Sequence, residues 1–293
     1  TLISVEIVRV VSIALIGMAI SLFVRDLSQK RELGANEGKL FLFDNMGFFA
    51  GPLLGGILAT EFGFDAVFIH AAMFSGIAYF YFNRKCVNNE VRTFDRIKAK
   101  SKHLVENLVE FFHGVENRKS FFIKFALEYW WVTFYLYVPL YMAGLGYSGT
   151  LIGLVVGGAV IPLILLEFHV GKDSDKKGYR NYLLLGYVIL GGVLALMGIA
   201  DNPIMVIIFL VLLNFGIALI EPLQDVHFFR TTPVKEENGL YGVLMMSFPV
   251  AQIIAPAVAA LMIFLFGSKG VWLSSAAVML LASYAVLKLK EEK

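Results

Sequence analysis

Gly47-Phe48-Phe49-Ala50-Gly51-Pro52-Leu53-Leu54-Gly55-Gly56 decides how the rest of the chain is read. Four glycines and a proline stand here inside an apolar run from Phe41 to Ala59. In a water-soluble helix each glycine would cost about 1 kcal/mol and the proline about 3. Within a bilayer they are tolerated, because neighbouring helices satisfy the freed backbone groups. The stretch therefore predicts a kinked transmembrane helix. Gly47, Gly51 and Gly55 recur every four positions, so one face of that helix lacks side chains and suits the close approach of a second helix.

The composition points the same way. Hydrophobic residues make up 58% and charged residues 16% of 293 positions, with a mean hydropathy of +0.73, against roughly 45–50% and about 25% in soluble domains. An all-α, polytopic membrane bundle is expected. The net charge of +2 gives no reason to expect a nucleic-acid partner, because Lys and Arg are sorted among loops rather than pooled. Cys86 is the only cysteine, which excludes a disulfide within the chain and a cysteine metal cluster. Thr1 stands inside an apolar run without a Met, a basic segment or a cleavage site, and reads as neither a natural start nor a signal peptide.

Apolar windows fall near 3–24, 39–59, 64–82, 120–143, 148–170, 180–200, 203–225, 238–266 and 269–288; about 20 residues are needed to cross the hydrocarbon core. These nine predicted spans are joined by short, turn-rich connections, except for the polar segment from Asn83 to Lys119. Loop Lys and Arg gather after the odd-numbered spans, and the alternate loops hold only Lys269. The long loop and the C-terminus are therefore expected in the cytoplasm and Thr1 outside.

A repeat is the second signal. Displacing the chain by 204 residues sets Ala14-Leu15-Ile16 on Ala218-Leu219-Ile220, Gly51-Pro52 on Ala255-Pro256 and Phe62-Gly63 on Phe266-Gly267. Spans one to three thus recur as spans seven to nine in the same orientation, a parallel repeat of the kind that builds two-bundle transporters. The loop Gly171-Lys-Asp-Ser-Asp175-Lys176-Lys-Gly178-Tyr-Arg180 has glycines suited to tight turns. It would aim Asp175 at helix ends and nearby basic side chains, forming a latch that can be made or broken, with Lys176 and Arg180 at the lipid headgroups.

The spacing G-x3-G-P-x2-G-G at Gly47, Gly51, Pro52, Gly55 and Gly56 resembles the antiporter motif in the fifth helix of major facilitator superfamily transporters. Gly171, Asp175, Lys176, Gly178 and Arg180 resemble that family's loop signature G-x3-D-[RK]-x-G-[RK]-[RK], with Tyr179 in one basic position. The resemblance implies a fold of two six-helix bundles. This sequence would then be truncated at its N-terminus and its spans would be helices four to twelve; a protein of nine spans is the other reading. Residues 1–83 would complete the first bundle, 84–118 a cytoplasmic linker and 119–293 the second bundle. Within the linker, apolar positions from Leu104 to Val115 predict an amphipathic helix on the inner leaflet, with Lys98, Lys100 and Lys102 drawn to anionic lipid.

Ionisable groups inside spans mark transport paths. Arg9 follows Glu6 by three positions and partly resembles the family's R-x2-Q-G pattern in helix four, with Ser12 and Ile13 replacing Gln and Gly. It is expected either in coupling or substrate binding, or paired with Glu6. Glu128 lies among Trp130, Trp131 and Tyr135, a setting suited to proton exchange, and Lys124 one turn away is its alternative partner. Trp131 and Tyr135 share the face of Glu128, and by resemblance this span lines a central cavity. Asn214 and Glu221 extend the set on span seven. Glu167 is expected to pair with Arg230 or Lys235, Asp44 and Asn45 to serve gating or packing, and His227 to be an interfacial residue without a task.

No nucleophile–base pair, HExxH-like spacing or phosphate-cradling loop stands in the sequence, so neither an enzyme nor an ATP-driven pump is expected, and no cofactor. The expectation is a monomeric secondary transporter of a small solute in the cell membrane, working by alternating access. It would be coupled to protons and tilted toward efflux or antiport. A non-transporting sensor or scaffold of the same fold is the alternative, and an integral-membrane enzyme a weaker one.

Overall fold

A computed structural model describes residues 2–84 and 104–289. Their regular structure is helical: α1 (Leu2–Leu27), α2 (Leu33–Phe62), α3 (Phe64–Phe82), α4 (Leu104–His113), α5 (Val115–Gly144), α6 (Gly149–Ala159), α7 (Ile161–Lys177), α8 (Arg180–Ile199), α9 (Pro203–Ile220), α10 (Val226–Thr231), α11 (Val234–Leu244), α12 (Ser247–Phe266) and α13 (Ser268–Leu287). Six segments are long and apolar enough to cross a membrane by length and composition. The hairpins turn at Gly63, Gly178 and Gly267, each at positive φ, where a side chain would be strained. Asn202 caps α9, its side chain accepting from the amide of Ile204 at 2.9 Å, and Pro203 follows in the first turn.

Three predicted spans are interrupted. The fifth breaks at Val160, where Pro162 opens α7; the seventh breaks after Ile220 into a 3-10 turn Glu221–Leu223 around Pro222; the eighth divides into α11 and α12. Proline removes a helical donor and clashes with the preceding turn. In a bilayer such breaks persist only where buried partners satisfy the freed groups.

Small residues set the tightest packing. A Cβ at Gly186 would lie 2.7 Å from the carbonyl oxygen of Gly216, joining α8 to α9, and one at Gly198 would lie 2.5 Å from Leu273 of α13. Trp130, Tyr187 and Trp272 are fully buried in the same group of helices. α2 lies along α7 so closely that a Cβ at Gly171 would stand 2.0 Å from the carbonyl oxygen of Gly34.

That contact revises two expectations. Gly171 is not a turn glycine but an interior residue of α7. Nor do the glycines of the opening stretch make the close approach: nothing described lies within 4 Å of a Cβ at Gly47 or Gly51, and at Gly55 only Val67, at 3.9 Å. The surroundings of Pro52 and Gly56, the side chains of Glu6 and Arg9, and Lys98, Lys100 and Lys102 lie outside the described residues. α4 exists as expected, but its Phe111 is buried against Phe121 and Phe228 rather than in lipid. Arg180, expected at headgroups, donates instead to the carbonyls of Val286 and Leu287 at the end of α13, where a helix leaves acceptors without partners.

Candidate functional site

The break in the seventh predicted span delivers two carboxylates from one corner, Glu221 in the 3-10 turn and Asp225 just beyond it. Glu221 accepts from the indole Nε1 of Trp131 (3.2 Å) on α5 and from Nδ2 of Asn45 (3.2 Å) on α2. The same Asn45 nitrogen donates to both oxygens of Glu167 on α7, at 3.1 and 3.0 Å. One amide thus joins carboxylates brought by two other elements. Asp225 accepts from Lys124 Nζ on α5 (2.8 and 3.1 Å) and from the Tyr241 hydroxyl on α11 (2.7 Å).

Two further carboxyls border this cluster. Glu128 stands within electrostatic reach of Lys124, Glu221 and Asp225. Glu37 of α2 is 1% exposed, and neither of its oxygens has a hydrogen-bond partner; the charges it meets are those of Asp225 and Lys124. Glu37, Glu128 and Asp225 therefore act on one ammonium, Lys124, and Glu128 joins them to the Glu167–Glu221 pair, which Asp44 also faces. Above them Trp131 stacks on Tyr135 (5.6 Å, 21° between planes), and Phe48 lies 6.4 Å from Tyr135.

A second constellation joins the same helices at the side that carries the basic loops. Asp175 accepts from the first backbone amides of α2, Gly34 at 2.9 Å and Ala35 at 2.8 Å, and from Arg230 at 3.1 Å. A carboxylate at a helix N-terminus gains both the unpaired N–H groups and the positive end of the dipole. Arg25 at the end of α1 pairs with Glu237 of α11 at 2.8 Å, and both are buried. Arg230 also lies over the ring of Tyr179 (5.3 Å), whose hydroxyl meets Nδ1 of His227 at 2.7 Å. Asn45 lies 11 residues beyond Gly34 along α2, roughly 16 Å at 1.5 Å per residue, so the cluster stands near mid-membrane above this contact.

The predicted residues separate accordingly. Glu128, Trp131, Tyr135 and Glu221 come together, whereas Asn214 turns its amide onto the Leu210 carbonyl of its own helix at 2.7 Å. Lys124 bonds Asp225 and not Glu128, and Glu167 bonds Asn45 while Arg230 serves Asp175. His227 is buried beside Tyr179 rather than interfacial. Sequence reasoning passed over Glu37 and treated Asn45 as a gating or packing residue. Gly34, Gly38 and Asn45, at spacings of four and seven, share a face of α2; that pattern was the available signal.

An apolar all-helical bundle with charged groups buried between its segments is the build of a polytopic membrane transporter. A family model described as the Major Facilitator Superfamily matches residues 7–148 and 120–293, together nearly the whole chain, and the protein belongs to that family. It is a multi-pass membrane transporter with a small-molecule substrate. No curated protein matches the chain.

Proposed function

We propose that this protein is a secondary transporter that exchanges protons for a solute by alternating access, with its spans corresponding to helices four to twelve of the family's fold. The observation that carries the reading is the carboxyl cluster, built from α2 on one hand and α5, α7 and the α9–α10 break on the other. Groups so placed change partners when the two sets of helices move apart. Asp175 against the start of α2, and Arg25 against Glu237, hold the basic-loop side closed. Tyr135 and Phe48 lie on the other side of the cluster.

Carboxyl groups inside a membrane protein serve as proton relays when water and solute reach them by turns. Glu221, Glu167 and Glu128 are the exchanging groups in this reading, Asn45 the group that positions two of them. Resemblance of the Gly51-Pro52 stretch to the antiporter motif supports export by exchange. Arg9, on α1, is assigned to coupling or substrate binding through its partial resemblance to the family's R-x2-Q-G pattern.

Proteoliposomes with an imposed proton gradient test the proposal. Wild-type protein should move solute against its own gradient only while the proton gradient lasts, and Glu221→Gln should lose this coupling while still exchanging solute for solute. Transport indifferent to the proton gradient in the wild type would overturn it.

A further inference from the structure

Glycine packing between α2 and α7 brings two lysines together. A Cβ at Gly38 of α2 would stand 2.6 Å from the Glu167 carbonyl oxygen, and Gly171 meets Gly34 more closely still. The residue after Gly38, and the residue after Gly171, is a lysine. Lys39 and Lys172 hold their ammoniums over the ring of Phe168, 5.6 and 5.9 Å from its centre. The ring attracts each cation, but it leaves two like charges near each other without an anion. No ion pair among the described residues includes either lysine. The acids of α7 are engaged elsewhere: Asp173 with Lys177 at 2.7 Å, Asp175 with Arg230 and the start of α2, and Glu167 with Asn45.

The depth of the pair points to the anion. Lys39 opens the apolar window 39–59, and Lys172 stands just beyond the window 148–170, so both lie where the hydrocarbon core ends on the basic-loop side. Toward the membrane interior the same helix faces become apolar and stay exposed. Phe43, one turn from Lys39, is 69% exposed, and Leu165, two turns from Lys172, is 63% exposed. Two ammoniums above two exposed apolar flanks match an acidic head on hydrocarbon tails. We propose that Lys39 and Lys172 bind the phosphate of an anionic phospholipid across the seam between α2 and α7. Phe168 lies against the headgroup, and the acyl chains run along Phe43 and Leu165. Basic pockets between membrane helices hold acidic headgroups in this way. A free phosphate would meet the ammoniums alone and gain nothing from the apolar flanks. The lipid site is separate from the buried carboxyls, because both lysines are exposed while Glu167 of the same helix turns inward to Asn45.

Native mass spectrometry of the intact protein, titrated in detergent with phosphatidylglycerol or with phosphatidylcholine of the same acyl chains, tests this. Phosphatidylglycerol should bind about tenfold tighter than phosphatidylcholine. An ammonium beside an acidic headgroup is expected to contribute about fivefold. Lys39→Gln and Lys172→Gln should therefore each weaken phosphatidylglycerol by about that factor, and the two together by more than tenfold, with phosphatidylcholine unchanged. Lys39→Arg and Lys172→Arg keep the charge and should stay within threefold of wild type. Lys235→Gln removes the same charge from α11, on the same side of the membrane, and should leave binding as it is. Equal binding of the two lipids, binding indifferent to Lys39 and Lys172, or an equal loss from Lys235→Gln overturns the site. Displacement of phosphatidylglycerol by an equal concentration of inorganic phosphate assigns the pair to free phosphate and removes the lipid.

Discussion

Asn45 carries a disproportionate share of the site, because two carboxylates from different helices depend on its one nitrogen. Replacing it with leucine keeps the approximate volume and removes every donor they share. Glu167 would then lose its Asn45 donor and Glu221 one of its two, at a cost of about 1–3 kcal/mol for a buried group left unsatisfied. Asn45→Leu is therefore expected to lower the thermal midpoint of the purified protein at neutral pH. An unchanged midpoint would mean that water or solute already serves these carboxylates.

The decisive contacts between elements are glycine to backbone, and they are not at the most conspicuous glycines. A methyl at Gly171 would stand 2.0 Å from the Gly34 carbonyl oxygen, so α2 and α7 must part, carrying Asn45 and Glu167 with them. Overpacking of this kind costs about 1–3 kcal/mol. Gly192 of α8 has nothing within 4 Å, and alanine there gains about 1 kcal/mol of helix propensity. Thermal unfolding should thus separate Gly171→Ala, destabilised, from Gly192→Ala, unchanged or stabilised; equal effects would deny the close approach. The helices themselves were legible in the sequence, since apolar length and turn residues are local signals. The partners were less so, because they depend on how each helix is rotated and where it breaks. Lys124 stands four residues from Glu128 yet bonds Asp225, 101 residues away, because Pro222 interrupts the span between Ile220 and Val226. Arg180 looked like a headgroup anchor, and only the fold shows the open carbonyls of α13 beside it.

At the scale of the whole molecule, the two closures on the basic-loop side bear on the same equilibrium. Asp175 ties α7 to the start of α2, and Arg25 with Glu237 ties α1 to α11. A charge-assisted hydrogen bond contributes about 1.5–3 kcal/mol, and each 1.4 kcal/mol is about a tenfold change in population, so losing either closure should raise the fraction open on that side by about ten- to a hundredfold. Ser174, buried and adjacent to Gly34 in the seam between α2 and α7, reports the opening when replaced by cysteine in a Cys86→Ser background. A membrane-impermeant thiol reagent applied from the basic-loop side should label Ser174→Cys slowly. Labelling should quicken by that factor with Asp175→Ala and with Glu237→Gln, and further with both. Because both contacts hold one interface, the double variant should fall short of the product of the two. Labelling that stays slow in both single variants would mean that glycine packing between α2 and α7, and not these charges, keeps this side shut.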